Sequence, residues 1–492
     1  MIDIGRKKLF ADVVYTLLST VFSQIVSIFR TLILPIIWEP ASLGVWNLMN
    51  VLIGYGANAH LGILHGFNKK IPQMRVQEQD LERNEYKDSV FWCNLILGII
   101  LGFLVFIASF WTQPVYALPL RVVSFTIILQ VVFVYYFSLL RADHCFELLS
   151  KGVALSSLLS SIFILIAAYV FEDVWIVLIA QMLALCFVVV YWWYKSNYCF
   201  TFVLRFSLVK DAFITGLPLM ALGLIDMVFL SFDRWLIVYY FPIQTLGFYA
   251  MGVMGSNLLS LISASVANVL YPKMIERFAL TNSVSSLHDF LLNPVQVTAS
   301  LMLCLISGIV IFVPLVIRCY LPKYLPAVPL VEILVPGSYF LSFSALAGSF
   351  IISINRQKYL MLIQVCAIVS SIVFDIILLY FGYGILGMAY GTLLCYAISG
   401  LGYMSLAVYF STGKVRQILQ IVIYTVLFFV VTILALQLTS DHVSLTATFR
   451  DQLFLSILRM LKVFVVIVPL LVLVNRTYVV SIWKKLHIWL AK

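Results

Sequence analysis

Four basic residues at matched places along this sequence could bind an anionic group. Arg30 and Arg234 lie near the ends of two apolar runs, and Lys70 and Lys273 follow two others. A guanidinium forms paired hydrogen bonds with phosphate oxygens, because its donors lie in one planar fork. Two arginines facing one another across a cavity would therefore suit a phosphate or pyrophosphate group. The alternative is that the arginines extend to the lipid headgroups and the lysines only mark the membrane edge.

Three aspartates in or beside apolar runs form a second set of candidates: Asp226, Asp233 and Asp375. A charged side chain inside a bilayer is costly, so such residues commonly pair with a basic group or serve transport. Asp233 directly precedes Arg234 and could neutralise it locally. Asp226 could pair with an arginine or bind a coupling cation. Asp375 lies towards the outer end of its run, where peripheral packing is the alternative to a coupling or charge-pairing role.

Uncharged polar side chains follow two of the long apolar runs, 43–67 and 246–270. The candidates are Asn50, Asn58, His65, Asn257 and Asn268. The first three fall close to one face of a continuous helix, and such a stripe could line a water-filled cavity that accepts sugar hydroxyls. The alternative is hydrogen bonding between neighbouring helices. We expect cavity lining, because polar stripes occur at matched places in both runs.

The composition requires membrane helices to position these residues. Of the 492 residues, 63% are hydrophobic and 11% are charged, and the mean hydropathy is +1.07. A soluble domain is about half apolar and about one quarter charged. Backbone polar groups in hydrocarbon must be bonded within the protein, which leaves helices or closed barrels. Apolar runs of about 20 residues without strand-like alternation indicate an all-α integral membrane protein.

About 14 apolar runs are long enough to cross a bilayer. They cover residues 10–34, 43–67, 89–110, 120–140, 152–171, 174–194, 212–232, 246–270, 294–317, 328–352, 360–381, 385–409, 418–437 and 457–475. An even number places both termini on one side, and most of the 31 Lys and Arg residues fall on that side. Because basic residues are disfavoured in translocated segments, we predict that both termini are cytoplasmic.

An internal repeat organises these runs. Two segments 203 positions apart share a Leu-Gly pair, an aromatic residue and a lysine. The matched pairs are Leu43 with Leu246, Gly44 with Gly247, Trp46 with Tyr249, and Lys70 with Lys273. We predict two six-helix bundles, at 1–195 and 196–411, related by a pseudo-twofold axis. Residues 412–492 would add two spanning helices and an interfacial amphipathic tail.

The same segments resemble two signatures of a known family. They are Leu43-Gly44-Val45-Trp46 with Asn68-Lys69-Lys70-Ile71-Pro72, and Asp233-Arg234 with Leu246-Gly247-Phe248-Tyr249 and Tyr271-Pro272-Lys273. Both are similar to the polysaccharide transporter family, which includes Wzx-type O-antigen flippases. This family is a branch of the multidrug/oligosaccharidyl-lipid/polysaccharide exporter superfamily. Lys69-Lys70 stands where that family usually has an arginine, which keeps the charge and loses the planar fork.

The resemblance implies a flippase for an undecaprenyl-diphosphate-linked oligosaccharide in the bacterial inner membrane, working by alternating access. Arg30, Arg234, Lys70 and Lys273 would bind the pyrophosphate, and the polar stripes would bind the sugars. The two C-terminal spans could hold the polyprenyl tail, with Arg459 and Lys462 facing the lipid headgroup. The expected partners are the lipid-linked oligosaccharide, membrane lipids and polysaccharide polymerase machinery. No catalytic residue, cofactor or metal is expected.

Two other classes compete with this interpretation. A cation-coupled drug exporter of the same superfamily predicts that acidic residues outnumber basic ones in the cavity. A membrane-embedded polymerase or ligase predicts a large outward loop with catalytic Arg or His, and no outward segment is long enough. Motifs for ATP hydrolysis, zinc hydrolysis and nucleophilic serine are absent from the sequence. The net charge of +10 lies mainly in short connections between runs, which disfavours nucleic acid as a partner.

Overall fold

A computed structural model describes residues 2–76, 80–196, 198, 200–439 and 449–474. Within these ranges the chain folds into 16 α-helices and two short 3-10 helices, without strands. Twelve helical segments of the described residues are long and apolar enough to cross a membrane. The prediction of an all-α multi-pass membrane protein is therefore confirmed.

Contacts divide the chain into two compact units. The first comprises Met1–Val238 and Pro242–Gly247, and the second comprises Tyr239–Phe241 and Phe248–Lys492. Nine helices lie wholly or mostly in the first unit: α1 (Ile2–Ile37), α2 (Pro40–Ala57), α3 (Ile63–Val76), α4 (Asp80–Ala108), α5 (Pro114–Ala142), α6 (Phe146–Phe171), α7 (Val174–Ser196), α8 (Phe206–Phe229) and α9 (Phe232–Tyr240). Large side chains of α3, α4, α5 and α7 form its core, and the largest of them are Phe67, Tyr86, Tyr135 and Trp192.

Seven helices make up most of the second unit. They are α10 (Ile243–Thr281), α11 (His288–Tyr320), α12 (Val328–Ser353), α13 (Gln357–Tyr380), α14 (Gly384–Thr412), α15 (Val415–Leu438) and α16 (Phe449–Val474). Helix α12 lies at the centre of this unit and packs against α11 and α14. Its side chains Tyr339, Phe343 and Phe350 are almost fully buried. The predicted domain boundaries, at 195/196 and 411/412, describe the internal repeat and stay a prediction.

The second predicted span is wrong in one respect, because residues 43–67 do not form one helix. Helix α2 ends at Ala57 and α3 begins at Ile63. Between them, Leu61 (φ 47°) and Gly62 (φ 89°) adopt left-handed backbone conformations. A right-handed helix cannot pass through such residues, and a left-handed conformation is unfavourable for leucine. Asn50 and Asn58 therefore do not share a helix face with His65.

Several helix ends also differ from the predicted ones. Helix α8 ends at Phe229, and the charged pair Asp233-Arg234 belongs to the first turn of α9 instead of closing the seventh span. Helix α1 continues beyond Arg30, and α10 continues beyond Lys273 with Pro272 inside it. Membrane helices tolerate proline where neighbouring groups satisfy the freed backbone carbonyl. The fourteenth run corresponds to α16, and the amphipathic tail lies outside the described residues.

A buried polar cluster fixes the chain between α7 and α8, and thereby the start of α8. The Asp88 carboxylate accepts hydrogen bonds from the Thr201 backbone N–H and the Tyr198 hydroxyl, both at 3.3 Å. The adjacent Lys87 donates to both oxygens of Asp143, at 2.9 and 2.7 Å. Burial and the nearby Asp88 charge raise the pKa of Tyr198 above its usual range. The hydroxyl therefore stays protonated and continues to donate to the carboxylate.

Candidate functional site

Two helix breaks lie side by side in the first unit. One separates α2 from α3 at residues 58–62, and the other separates α8 from α9 at residues 230 and 231. The Tyr55 hydroxyl lies 2.9 Å from Ser231 Oγ. The Asn58 amide lies 3.4 Å from the sulfur of Met227. Side chains near the first break therefore connect it directly to the second.

Direct backbone contact holds α8 against α3 next to the first break. A Cβ on Gly216 would lie 1.9 Å from the carbonyl oxygen of Gly62, and a Cβ on Gly66 would lie 2.0 Å from that of Ala212. Both distances are far below van der Waals contact, so only glycine fits. Small residues permit this close approach of membrane helices. The position of the break is consequently fixed by its neighbour as well as by its own sequence.

A histidine pair lies at the same break. His60 is buried, and its Nδ1 accepts a hydrogen bond of 3.0 Å from the Gly62 backbone N–H. A ring nitrogen that accepts a hydrogen bond carries no proton, so this contact favours the neutral imidazole. The rings of His60 and His65 meet edge to face, with centroids 5.4 Å apart. His65 remains half-buried beside it.

The charged pair of α9 stands just beyond the second break. Asp233 is 3% exposed, and one of its oxygens accepts a 2.8 Å hydrogen bond from the Arg234 backbone N–H. The Arg234 side chain is half-buried, and its Nε is buried without a hydrogen-bond partner among the described residues. Buried donors normally have an acceptor. This guanidinium is therefore suited to an acceptor such as a phosphate oxygen.

The other predicted anion-binding residues differ in their surroundings. Arg30 is half-buried in α1, in the same unit as Arg234, and the described residues show no contact between the two. Lys70 forms an ion pair with Asp211 of α8. Lys273 is exposed on α10, in the second unit. Asp211 was not identified from the sequence as the partner of Lys70. Its one available signal was its position at the start of an apolar run.

One residue of the predicted polar stripe in the first unit bonds to a neighbouring helix. Asn50 donates to the Trp46 carbonyl at 2.9 Å and accepts a 3.3 Å hydrogen bond from Gln181 of α7. This is the bonding between helices that we named as the alternative to cavity lining. Asn58 donates to the Gly54 carbonyl at 3.3 Å, at the end of α2. Its polar group lies at the helix break, where cavity lining stays a prediction.

The predicted residues of the second unit lie on α10 and α13. Asn257 and Asn268 are exposed on α10. Asp375 is completely buried on α13, where a Cβ on Gly391 would lie 1.6 Å from its Oδ1. Glycine on α14 therefore provides the room for this carboxylate. The remaining candidate, Asp226, is exposed on α8 in the first unit.

A second-unit cavity of about 480 Å³ involves the C-terminal helices. Glu332 of α12 and Arg459 of α16 both line it, and Arg459 donates a 2.8 Å hydrogen bond to the Leu436 carbonyl. Lys462 lies one turn further along α16. Whether these groups face a lipid headgroup stays a prediction. Across the described ranges, no group of three or more His, Cys, Asp or Glu side chains could hold a metal ion.

The matched glycines of the internal repeat touch one another. A Cβ on Gly44 would lie 2.3 Å from the Ile243 carbonyl oxygen, and a Cβ on Gly247 would lie 1.8 Å from the Pro40 carbonyl oxygen. Pro40 and Ile243 are also 203 positions apart, so each half of the contact repeats the other. Reciprocal contacts of this kind arise from a twofold relation.

A family model described as "Polysaccharide biosynthesis protein" matches residues 33–329. No curated protein matches the sequence. The solved structure of the lipid II flippase MurJ, in an inward closed conformation, has a TM-score of 0.66 and 16% identity. The match covers 95% of this chain and 100% of that chain.

Two conformations of a multidrug resistance MATE family transporter of the MOP superfamily are also similar. The inward-facing structure has a TM-score of 0.61 and 16% identity, and the match covers 77% of this chain and 93% of that chain. The outward-facing structure has a TM-score of 0.57 and 15% identity, and covers 80% and 94%. At these identities the likeness establishes the fold.

Proposed function

The chain belongs to the family of polysaccharide biosynthesis proteins, and from this we propose that it is a flippase for a lipid-linked oligosaccharide. Its substrate would be an undecaprenyl-diphosphate-linked repeat unit, moved across the bacterial inner membrane with both protein termini in the cytoplasm. The family match over residues 33–329 supports a role in polysaccharide synthesis. The fold, shared with a lipid II flippase and with exporters, supports transport as the activity.

One observation carries the choice of an anionic substrate: the buried, unbonded Nε of Arg234 beside two helix breaks. Broken membrane helices expose backbone groups and are where transporters commonly bind substrates and ions. A guanidinium there can form charge-assisted hydrogen bonds with pyrophosphate oxygens. In a low-dielectric site such bonds are stronger than in water, which favours a doubly charged headgroup over a neutral ligand.

The four basic residues would then contribute unequally. Arg234 would make the strongest contact, and Arg30 would supply a second planar donor fork. The Lys70 charge is already partly neutralised by Asp211, so we expect a smaller contribution from Lys70. Lys273 has the matched position in the second repeat, and its part in pyrophosphate binding stays a prediction.

The remaining groups would serve the sugars and the cycle. Asn58 and His65, at the first break, would hydrogen-bond sugar hydroxyls. Sugar binding by Asn257 and Asn268, which are exposed on α10 in the second unit, stays a prediction. The polyprenyl chain would stay in the lipid. Transport against a gradient would require coupling to a proton or sodium gradient, for which Asp226, Asp233 and Asp375 are the candidate residues. Downstream use of the product is the alternative driving force.

The second candidate function is a cation-coupled multidrug exporter, because MATE transporters share this fold. A cationic drug would bind to carboxylates. Here Asp233 already accepts a hydrogen bond from the Arg234 backbone N–H, and the next side chain along the helix is the basic Arg234. This arrangement favours an anion over a cation.

The decisive experiment compares arginine variants in two assays. Complementation of an O-antigen-flippase-deficient strain that makes the native glycan measures surface polysaccharide, and proteoliposomes measure flipping of a labelled lipid-linked oligosaccharide. We expect Arg234→Ala to reduce flipping by about tenfold or more, from the loss of charge-assisted hydrogen bonds. Arg30→Ala should have the next largest effect, and Arg234→Lys should be intermediate.

The matched control is Arg277→Ala, which removes an exposed arginine from α10 and should leave flipping unchanged. Wild-type rates in both Arg30→Ala and Arg234→Ala would contradict the pyrophosphate site. Efflux of cationic dyes without flipping of the lipid-linked oligosaccharide would favour the exporter instead.

A further inference from the structure

A second cavity, also of about 480 Å³, lies where α5 and α7 end and α6 begins. It is formed by the connection between α5 and α6 and by the last turns of α7, elements that contribute nothing to the two helix breaks. Its lining includes Lys151, Lys195, His144, Tyr191 and Glu147. The flippase proposal assigns no role to these residues.

The start of α6 contributes hydrogen-bond donors to this cavity. Cys145 stands at the N-cap position and makes no side-chain cap hydrogen bond. The first turn of this 26-residue helix therefore keeps backbone N–H groups for another acceptor. The positive end of the helix dipole adds to their attraction for an anion.

The charges on the cavity wall favour an anion as well. Lys151 pairs with Glu147 at 2.5 Å, and their side chains are 57% and 56% exposed. An exposed pair of this kind is weak, so a phosphate can compete for the ammonium group. Lys195 has no ion pair within the described ranges, and its nearest aromatic contact is Tyr194, with the ammonium 5.7 Å from the ring centre.

Aromatic side chains indicate the level of the membrane at which the cavity lies. Trp193 and Tyr194, which directly precede Lys195, are 58% and 72% exposed. Exposed tryptophan and tyrosine concentrate where the membrane core meets the headgroups. The positive-inside prediction places this end of α7 on the cytoplasmic side. The cavity therefore opens at the level of inner-leaflet headgroups, where basic pockets between membrane helices bind anionic lipids.

We propose that this cavity binds the phosphate of an anionic phospholipid of the inner leaflet. The phosphate lies between Lys151 and Lys195 and accepts hydrogen bonds from the first turn of α6. The lipid is a resident of the surrounding membrane and is not transported. This site does not depend on the proposed flippase function, and lipid binding tests it without a transport assay.

The experiment counts phosphatidylglycerol molecules bound to the purified full-length protein in neutral detergent, by native mass spectrometry during a titration. Lys151→Gln and Lys195→Gln should each weaken the tightest binding event by about fivefold, since each removes one lysine near the lipid phosphate. Glu147→Gln should strengthen binding about twofold, because it removes the carboxylate that competes for Lys151. A structural role of the Glu147–Lys151 pair alone predicts no such gain.

Lys210→Gln is the matched control. This exposed lysine of α8 lies on the same predicted side, outside the cavity, and its removal should leave the tightest event unchanged. Equal binding by wild type and the Lys151→Gln/Lys195→Gln double variant would overturn the proposal, as would equal affinity for phosphatidylcholine. Displacement of the lipid by millimolar inorganic phosphate would identify a free-phosphate site and would also overturn it.

Discussion

The internal repeat matches residues 43–67 with residues 246–270, and the two segments differ in their backbone. The first segment is broken into α2 and α3, whereas the second lies within the continuous helix α10. Residues 58–62, between α2 and α3, correspond to residues 261–265 of α10, and α10 runs through 39 residues without a break. At the matched positions Gly62 has φ 89°, whereas the Ser265 hydroxyl donates to the Leu261 carbonyl at 2.7 Å inside a regular helix.

This difference shows that a repeat in sequence does not imply a repeat of the site. The break needs a glycine that adopts a left-handed conformation and a neighbour that approaches it without a side chain. The first copy has both, in Gly62 and Gly216. The second copy has serine at the position of Gly62. We therefore expect His65, beside the break, to matter more for the proposed sugar binding than Asn268, which has the matched position in the continuous helix α10.

The largest expected effect comes from filling the backbone contact beside the break. Gly216→Val would place a Cβ 1.9 Å from the Gly62 carbonyl oxygen. Overpacking against backbone should destabilise the protein by about 3 kcal/mol. The measurement is the melting temperature of the purified protein by tryptophan fluorescence, with size exclusion to check folding.

Gly223→Val in the same helix is the control, since a Cβ there meets nothing within 4 Å. Its melting temperature should match that of wild type. If Gly216→Val also matches wild type, α3 and α8 are not in backbone contact and the explanation of the break is wrong.

A smaller effect should come from the left-handed residue itself. Gly62→Val places a β-branched side chain at φ 89°. It should lower the free energy of unfolding by about 2 kcal/mol. Ser265→Val, at the matched position of α10, should change stability by about 0.5 kcal/mol at most. Paired melting curves of the two variants measure the difference. Equal shifts would mean that the two copies have the same backbone at this position.

The smallest effect concerns the matched lysines. Lys70 pairs with Asp211, and their side chains are 35% and 44% exposed. Because the pair is partly exposed, it should contribute only about 0.5 kcal/mol to the free energy of unfolding. A double-mutant cycle of Lys70→Ala and Asp211→Ala in melting experiments should reveal that coupling. Lys273→Ala in the second copy should leave the melting temperature unchanged. If Lys273→Ala destabilises the protein as much as Lys70→Ala does, the expected difference between the two lysines is wrong.

Much of the fold follows from patterns in the sequence. Length and hydropathy located the long spans, because a bilayer sets the same length for each. The repeat was visible in pairs such as Gly44 and Gly247, and the structure brings these two glycines together. The break at Leu61 and Gly62 was not visible, because a single glycine inside an apolar run is compatible with a helix. Its left-handed conformation depends on the approach of α8.

The site was harder to predict than the fold. Arg234 was identified by its charge within an apolar context, which is a property of the sequence alone. The partners Asp211 and Gln181 were missed, because contacts between helices depend on rotation about each helix axis. Hydrophobic periodicity determines that rotation poorly in membrane helices, which are apolar on most faces.

The reciprocal contact of Gly44 and Gly247 bears on how a duplicated gene can diverge. In a dimer of two identical copies, one mutation would spoil both halves of such a contact at once. In a fused chain each half is encoded separately, so a mutation changes one half of the contact without repeating the same change in the other. Selection on this glycine contact can thus continue while the segments that follow each glycine diverge, one acquiring a break and the other remaining a continuous helix.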